Sequence, residues 1–346
     1  MPDGSASPPA GTTFTLHGHD AAVSALAAAL RDDRLHHAYL FTGPAHVGKM
    51  TLAVQLAQAV TCAEGNDGCR RRVATGQHPD VRVLSIDSEA AEGPRTVIGI
   101  ESIRDVINAA YLQPYESRGR VFIIDSADRM STDAANALLK VLEEPPGHVL
   151  LLLLSDNEDG VLPTVRSRCQ HLDLRPLPVD NVAAILRNEA GMGEEQAMVL
   201  SRLSRGCVGW ALQAAHDPSL LAGVHQQLER ITDVIGGNLQ ERFAYAEVLA
   251  RQFQRDRAAG RAELYLWLRW FRDILLVQQG NGEMITNVSW RETIGLHANA
   301  LTTRQTVKWV RRTMETIEAL DKNVNPRLAL EALMLDAPLL ELPDTA

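Results

Sequence analysis

The residues best equipped for chemistry are Gly43-Pro44-Ala45-His46-Val47-Gly48-Lys49-Met50. Glycine, four residues, Gly-Lys and then Ser or Thr is the pattern of a phosphate-binding loop. The glycines let backbone N–H groups turn inward around phosphate, and the lysine reaches the β and γ oxygens. The chain fits this pattern at every position but the last, where a hydroxyl normally ligates Mg²⁺. Met50 stands there, and a thioether is a poor ligand for so hard a cation. Thr51 is one residue further on, rotated by roughly 100° around a helix, and could substitute only through a backbone shift. Gly43, Gly48, Lys49, Met50 and Thr51 are therefore expected to surround a bound ATP or ADP without being equipped to hydrolyse it.

A second candidate lies at the end of an apolar run, Val121-Phe122-Ile123-Ile124-Asp125. An aspartate at the C-terminal end of a buried strand helps hold Mg²⁺ in phosphate-loop ATPases. The alternative is an aspartate that only caps the turn into Ser126-Ala127-Asp128. Ser126 follows directly, and a serine hydroxyl is too weak a base to activate water.

These residues need a sheet to position them. Ala38–Thr42, 81–86, 120–125, 149–154 and 170–174 read as strands. Helices are expected between them at 20–30, 49–62, 100–112 and 132–144, the last stopped by Pro145-Pro146. Strands alternating with helices predict a parallel α/β sheet. Beyond Arg175-Pro176-Leu177-Pro178 no strand is apparent. Short helices are expected at 179–191, 193–204 and 208–216, and long amphipathic ones from about 219 onward. Leu264 to Val277 is the richest apolar stretch, its face either a helix core or a partner surface.

With 346 residues the chain can hold two or three domains. The expected division is a disordered lead-in at 1–16, an α/β domain at 17–178, a small helical lid at 179–218 and an all-α collar at 219–346. The first residues are rich in Pro, Gly, Ser and Thr and lack the regions of a signal peptide. No apolar run approaches the roughly 20 residues of a membrane span. A cytoplasmic chain with no membrane partner is expected. A net charge of −9 argues against a basic protein that coats nucleic acid. Four unevenly spaced cysteines do not suggest a disulfide framework.

Four segments together resemble one family. They are 35–44 (Leu-His-His-Ala-Tyr-Leu-Phe-Thr-Gly-Pro), 76–81 (Gly-Gln-His-Pro-Asp-Val), 135–146 (Ala-Asn-Ala-Leu-Leu-Lys-Val-Leu-Glu-Glu-Pro-Pro) and 164–169 (Thr-Val-Arg-Ser-Arg-Cys). The chain resembles the bacterial clamp-loader ATPases, the AAA+ subunits of DNA polymerase III, over about 17–215. The resemblance implies an AAA+ sheet domain, a lid and a helical collar that assembles a ring. It also implies a role in loading the sliding clamp onto primed DNA. Motor members keep Lys-Thr in the loop and a glutamate after the strand-end aspartate; Met50 and Ser126 depart from both. The lid arginine of motor members has no safe counterpart, because Gly209-Trp210 occupies its place. The chain therefore resembles the non-motor, delta-prime branch, part of the polymerase assembly but without independent ATPase activity. The alternative is an active gamma/tau-type motor with unusual motifs.

The resemblance further implies that Arg168, in Ser167-Arg168-Cys169, projects toward nucleotide held by a neighbouring motor subunit. A planar, permanently charged guanidinium suits that task. Implied partners are gamma/tau-type motor subunits, the delta subunit, the clamp and primed DNA. Many relatives carry four zinc-binding cysteines after the loop helix. Here Cys62 and Cys69 remain, too few for a tetrahedral site, so zinc is not expected. An unrelated kinase-like phosphate-loop protein is disfavoured by the 135–146 block.

Overall fold

A computed structural model describes residues 14–63, 65–86, 97–322, 324–338 and 340. The chain divides into two compact units. One holds the residues up to Asn181 together with Gly206–Trp210. The other holds Val182–Arg205 and Ala211 onward.

The first unit is an α/β sheet domain. In chain order its elements are α1 (Asp20–Arg31), β1 (Ala38–Thr42), α2 (Lys49–Thr61), α3 (Asp67–Ala74), β2 (Val81–Leu84), α4 (Ile100–Ala110), β3 (Arg120–Ile124), α5 (Thr132–Glu143), β4 (Val149–Ser155), α6 (Pro163–Arg166) and β5 (Gln170–Asp173). The five strands are parallel in the order β2-β3-β4-β1-β5. Every residue of β1 and β4 is buried. Central parallel strands are covered on both faces, which is why these two read as unbroken apolar runs. β5 is an edge strand and alternates less clearly, with Gln170, His171 and Asp173 exposed.

Helices cover both faces. Leu52, Leu56 and Cys69 pack against Tyr39, Phe41 and Ile123 on one side. On the other, Ala134, Ala135, Leu138, Val141 and Leu142 of α5 pack against Leu40, Phe122 and Leu151. Their spacing makes a single helical stripe. Ser131 caps α5 by accepting from the Ala134 N–H at 3.1 Å.

Most of the expected lead-in, residues 1–13, lies outside the described residues. Phe14 to Leu16 are packed instead: Phe14 and Leu16 join the core, and Thr15 exchanges hydrogen bonds with Gln55 at 3.1 and 2.8 Å. Two helices of this unit were not expected: α6, only four residues long, and α3, whose sequence Asp-Gly-Cys-Arg-Arg-Arg-Val-Ala has little apolar periodicity.

The second unit is helical. It takes in α7 (Val179–Ala190) from Val182 onward, α8 (Glu194–Ser204), and α9 (Val208–His216) from Ala211 onward. There follow α10 (Pro218–Gly236), α11 (Leu239–Arg255), α12 (Arg257–Gln278), α13 (Arg291–Ala300), α14 (Thr303–Asp321) and α15 (Pro326–Leu335). α8 is tied to the later helices by the Arg202 guanidinium, which donates to the Glu283 carbonyl at 2.7 Å. Of the two readings of the 264–277 face, the core is the one observed. Trp267, Trp270, Phe271 and Ile274 are fully buried against Phe253, Trp309 and Leu330. That face is closed to partners. Among the described residues, no helix is long and apolar enough to cross a membrane.

Candidate functional site: the phosphate loop and the Arg168 corner

Sheet register alone assembles the loop's surroundings. Thr42, the last residue of β1, sits opposite Ser155, the last of β4. The residues just beyond, Gly43 and Asp156, therefore leave the sheet side by side. Ile124 of β3 pairs with Leu153, so Asp125 emerges next to them. Ligands of open α/β sheets bind at these carboxyl ends.

The loop itself has the left-handed geometry that phosphate binding requires. Gly43 has φ 142° and Gly48 has φ 118°, and Gly48 caps α2. A Cβ on Gly43 would lie 2.2 Å from the Leu174 carbonyl oxygen, so no other residue fits. His46 has φ 61° without being glycine, a conformation that costs about 1 kcal/mol. Its carbonyl accepts the Gly209 N–H at 3.0 Å. His19, at the N-cap of α1, contacts the Val47 carbonyl through Nε2 at 3.3 Å. Burial lowers the His19 pKa, which keeps the ring a neutral donor to that carbonyl.

Lys49 is 7% exposed. Its ammonium donates to the Gly43 carbonyl at 2.7 Å, the Pro44 carbonyl at 2.8 Å and Asp156 Oδ1 at 2.6 Å. Met50 is half-buried and packs against the apolar cluster beneath the loop. Thr51 is exposed on α2. Asp125 is half-buried. Burial pushes its carboxyl up, the Ser126 N–H at 3.0 Å opposes this, and the charge of Asp156 pushes it further up. Ser126 is left-handed, with φ 61° and ψ 48°. Asp128 points away to accept from Ser155 Oγ at 3.0 Å. Sequence reasoning missed Asp156. Its only signal was its place just after β4, separated by Ser155 from the apolar run 149–154.

Arg168 lies apart from this cluster, between α6 and β5. Proline opens α6 at its first turn. The Arg168 guanidinium donates to the Thr164 carbonyl at 3.0 Å and to Ser167 Oγ at 3.3 Å, and pairs with Glu143 at 2.7 Å. Its side chain remains 36% exposed. Arg166 instead pairs with Glu158 and Asp159 at 3.3 and 3.6 Å. Cys169 packs beneath, and burial pushes its thiol up to about 12, so it is no nucleophile.

The 62–78 region differs from expectation. Cys62 and Cys69 form a disulfide, with their Cα atoms 5.7 Å apart. The pairing arises because α3 turns back against the end of α2. Cys62, Cys69 and His78 lie close enough together to suggest a metal site. The donor set does not fit zinc. Both sulfurs are already bonded, and His78 Nδ1 accepts the Asp80 N–H at 3.2 Å. Nε2 then carries the ring proton and faces Glu116 at 3.2 Å. A cavity of about 590 Å³ adjoins this group, lined by Asn66, Arg72, His78 and Glu116 among others. Asp80 is the hub of the neighbouring turn. It accepts from the N–H groups of Tyr115, Glu116 and Ser117 at 2.7, 2.9 and 3.0 Å and from Ser117 Oγ at 2.7 Å.

Residues 18–178 match the family described as DNA polymerase III, delta subunit, and residues 237–337 match DNA polymerase III, delta subunit, C terminal. DNA polymerase III subunit delta' of Bacillus subtilis is 27% identical over 312 residues, covering 88% of this chain and 92% of that protein. DNA polymerase III subunit gamma/tau of Mycobacterium tuberculosis is 34% identical over 188 residues, but this chain spans only 31% of its length. A gamma subunit-related protein of Thermotoga maritima superposes with a TM-score of 0.47 at 19% identity, over 90% of this chain and 97% of that one. The chain belongs to the DNA polymerase III clamp-loader family, on its delta-prime branch.

Proposed function

We propose that this chain is a non-hydrolysing subunit of the DNA polymerase III clamp loader. It helps place the sliding clamp on primed DNA and supplies Arg168 in trans to ATP held by a neighbouring gamma/tau-type motor subunit. The observation that carries the reading is Met50. The loop keeps its glycines and lysine, yet Met50, half-buried against the apolar cluster, stands where a Mg²⁺-ligating hydroxyl belongs. Ser126 supports it, since it offers no carboxylate beside Asp125. The second nucleotide requirement, a charge for the transferring phosphoryl group, would instead be delivered outward by Arg168.

In this reading 17–178 is the AAA+ domain, 179–218 acts as a lid and 219–346 as the collar that joins the ring. The delta subunit is a further partner, and the chain works in the cytoplasm. The collar's assembly surface must lie outside the Trp267–Ile274 face, because that face is buried.

The test is reconstitution with gamma/tau-type and delta subunits. Arg168→Ala should assemble normally yet lower DNA-stimulated ATP hydrolysis and clamp loading. The isolated chain should show no Mg²⁺-dependent turnover sensitive to Lys49→Ala. Turnover near 1 s⁻¹, the low end of ordinary enzymes, would favour the motor alternative.

A further inference from the structure

Lys49 has three ammonium protons, and all three are spent. Two go to the loop's own carbonyls of Gly43 and Pro44, and the third goes to Asp156. The pair is asymmetric: the lysine is 7% exposed and the Asp156 side chain 58%. The carboxylate thus reaches inward from the solvent side of the crevice onto a buried cation. Its place is fixed by the sheet, because β4 and β1 end in register and Asp156 is the first residue past that end.

A phosphate-loop lysine normally bridges the β and γ oxygens of a triphosphate. Here the outer coordination of the ammonium is taken by a carboxylate that is part of the chain. We infer that Asp156 is a built-in anion in the position of a terminal phosphate, so that the loop takes a nucleoside diphosphate in preference to a triphosphate.

The charge inventory of the crevice supports this. Asp156 binds the Lys49 ammonium, and Asp125 lies near enough that, beyond the effect of burial, the Asp156 charge pushes its carboxyl up while the Lys49 charge opposes this. A γ-phosphate would add charge to that pair. Mg²⁺ usually offsets such repulsion, but the residue that should help ligate it is Met50. A diphosphate has no group that must occupy the space held by Asp156, and its outer phosphate can use the backbone N–H groups of the loop.

This inference rests on the reading of residues 43–50 as a nucleotide site, and not on the trans role of Arg168. Its test uses the isolated full chain, so its failure is separable from failure in the reconstituted assembly. Binding of ATP and of ADP is measured by titration calorimetry for the wild type, Asp156→Asn, Asp156→Ser and Lys49→Ala. Asparagine keeps the shape and the acceptor oxygen and removes the charge. The expected result is ADP binding tighter than ATP in the wild type. Asp156→Asn should then gain at least about tenfold for ATP, with a smaller gain for ADP. Asp156→Ser should behave likewise, and Lys49→Ala should lose both ligands. An unchanged ATP-to-ADP ratio in both Asp156 variants overturns the inference. So does a failure of both variants to bind either nucleotide while melting at the wild-type temperature.

Discussion

The guanidinium of Arg168 pairs with the carboxylate of Glu143 at 2.7 Å, joining the segment after α6 to the last residue of α5. The two side chains are 36% and 51% exposed. Ion pairs this wet contribute roughly 0.2–1 kcal/mol. The pair therefore orients the arginine without holding it, so that in the proposed trans role a phosphate oxygen would replace the carboxylate.

Releasing that tether should be nearly silent for folding. Glu143→Gln is expected to change stability by less than about 1 kcal/mol and to leave the assembly's ATPase at or above the wild-type rate. Arg168→Ala should lower it. Arginine fingers are worth roughly 10³–10⁵ per site in GTPases, diluted here by the other sites of a ring. Arg168→Lys should fall between, keeping charge but not the planar fork. Steady-state ATPase with primed DNA measures all three, and a loss in Glu143→Gln as large as in Arg168→Ala would make the ion pair itself the working element.

Asp80 should govern acid stability of the sheet domain. Burial alone would raise its pKa, but the N–H groups of Glu116, Tyr115 and Ser117 and the Ser117 hydroxyl overcome that and hold it at about 2, against 3.8 unfolded. A depressed carboxylate contributes stability above the unfolded value and loses it as pH falls through the folded one. The contribution is about 2 kcal/mol near neutrality. Asp80→Ala, which also strands its donors, should cost about 3 kcal/mol by denaturant titration at pH 7.

His297 gives the opposite end of the chain its own pH response. It is buried, accepts the Trp270 indole N–H at Nδ1, 3.2 Å away, and burial lowers its pKa from 6.5 to about 4. Between those values the unfolded chain binds the proton more readily. Stability is therefore full above pH 6.5, falls as pH drops and levels off below about 4. The loss should approach 3 kcal/mol. His297→Gln can still accept the indole N–H but does not titrate, and should flatten the response. Tryptophan fluorescence reports it, since Trp267, Trp270, Trp290 and Trp309 all lie in this unit.

Gly209→Ala should disturb the phosphate loop from a distance. A Cβ there would stand 2.8 Å from the His46 carbonyl oxygen, a backbone atom that cannot swing aside. Alanine's helix preference returns up to about 1 kcal/mol. The clash, at roughly 1–3 kcal/mol, should outweigh it. Thermal melting gives the sign, and a stabilised variant would show that the loop yields freely.

What could be read from the sequence follows from what kind of contact each feature depends on. β1 and β4 were legible because complete burial writes itself as an apolar run. α5 was legible because the signal that stops it, Pro145-Pro146, is local. The Lys49–Asp156 pair was not, because it joins residues 107 apart in sequence through strand register. α3 was hidden by its polar composition, and with it the Cys62–Cys69 bridge. The Trp267–Ile274 face left two readings open, because amphipathic spacing does not say whether its cover comes from the same chain.

The hydrogen bond from Gly209 to His46 also has a meaning for synthesis. The last strand of the sheet ends at Asp173, but the residue that braces the phosphate loop is Gly209. Between them the chain runs out through Val182–Arg205, which belongs to the other unit, before coming back at Gly206. At translation rates of about 5–20 residues per second, roughly 2–7 s separate the two on the ribosome. During that interval the nascent domain has its sheet but an unbraced loop, so His46 has no partner for its carbonyl in the left-handed turn. The bracing of this loop is thus among the last contacts the domain makes as it is synthesised.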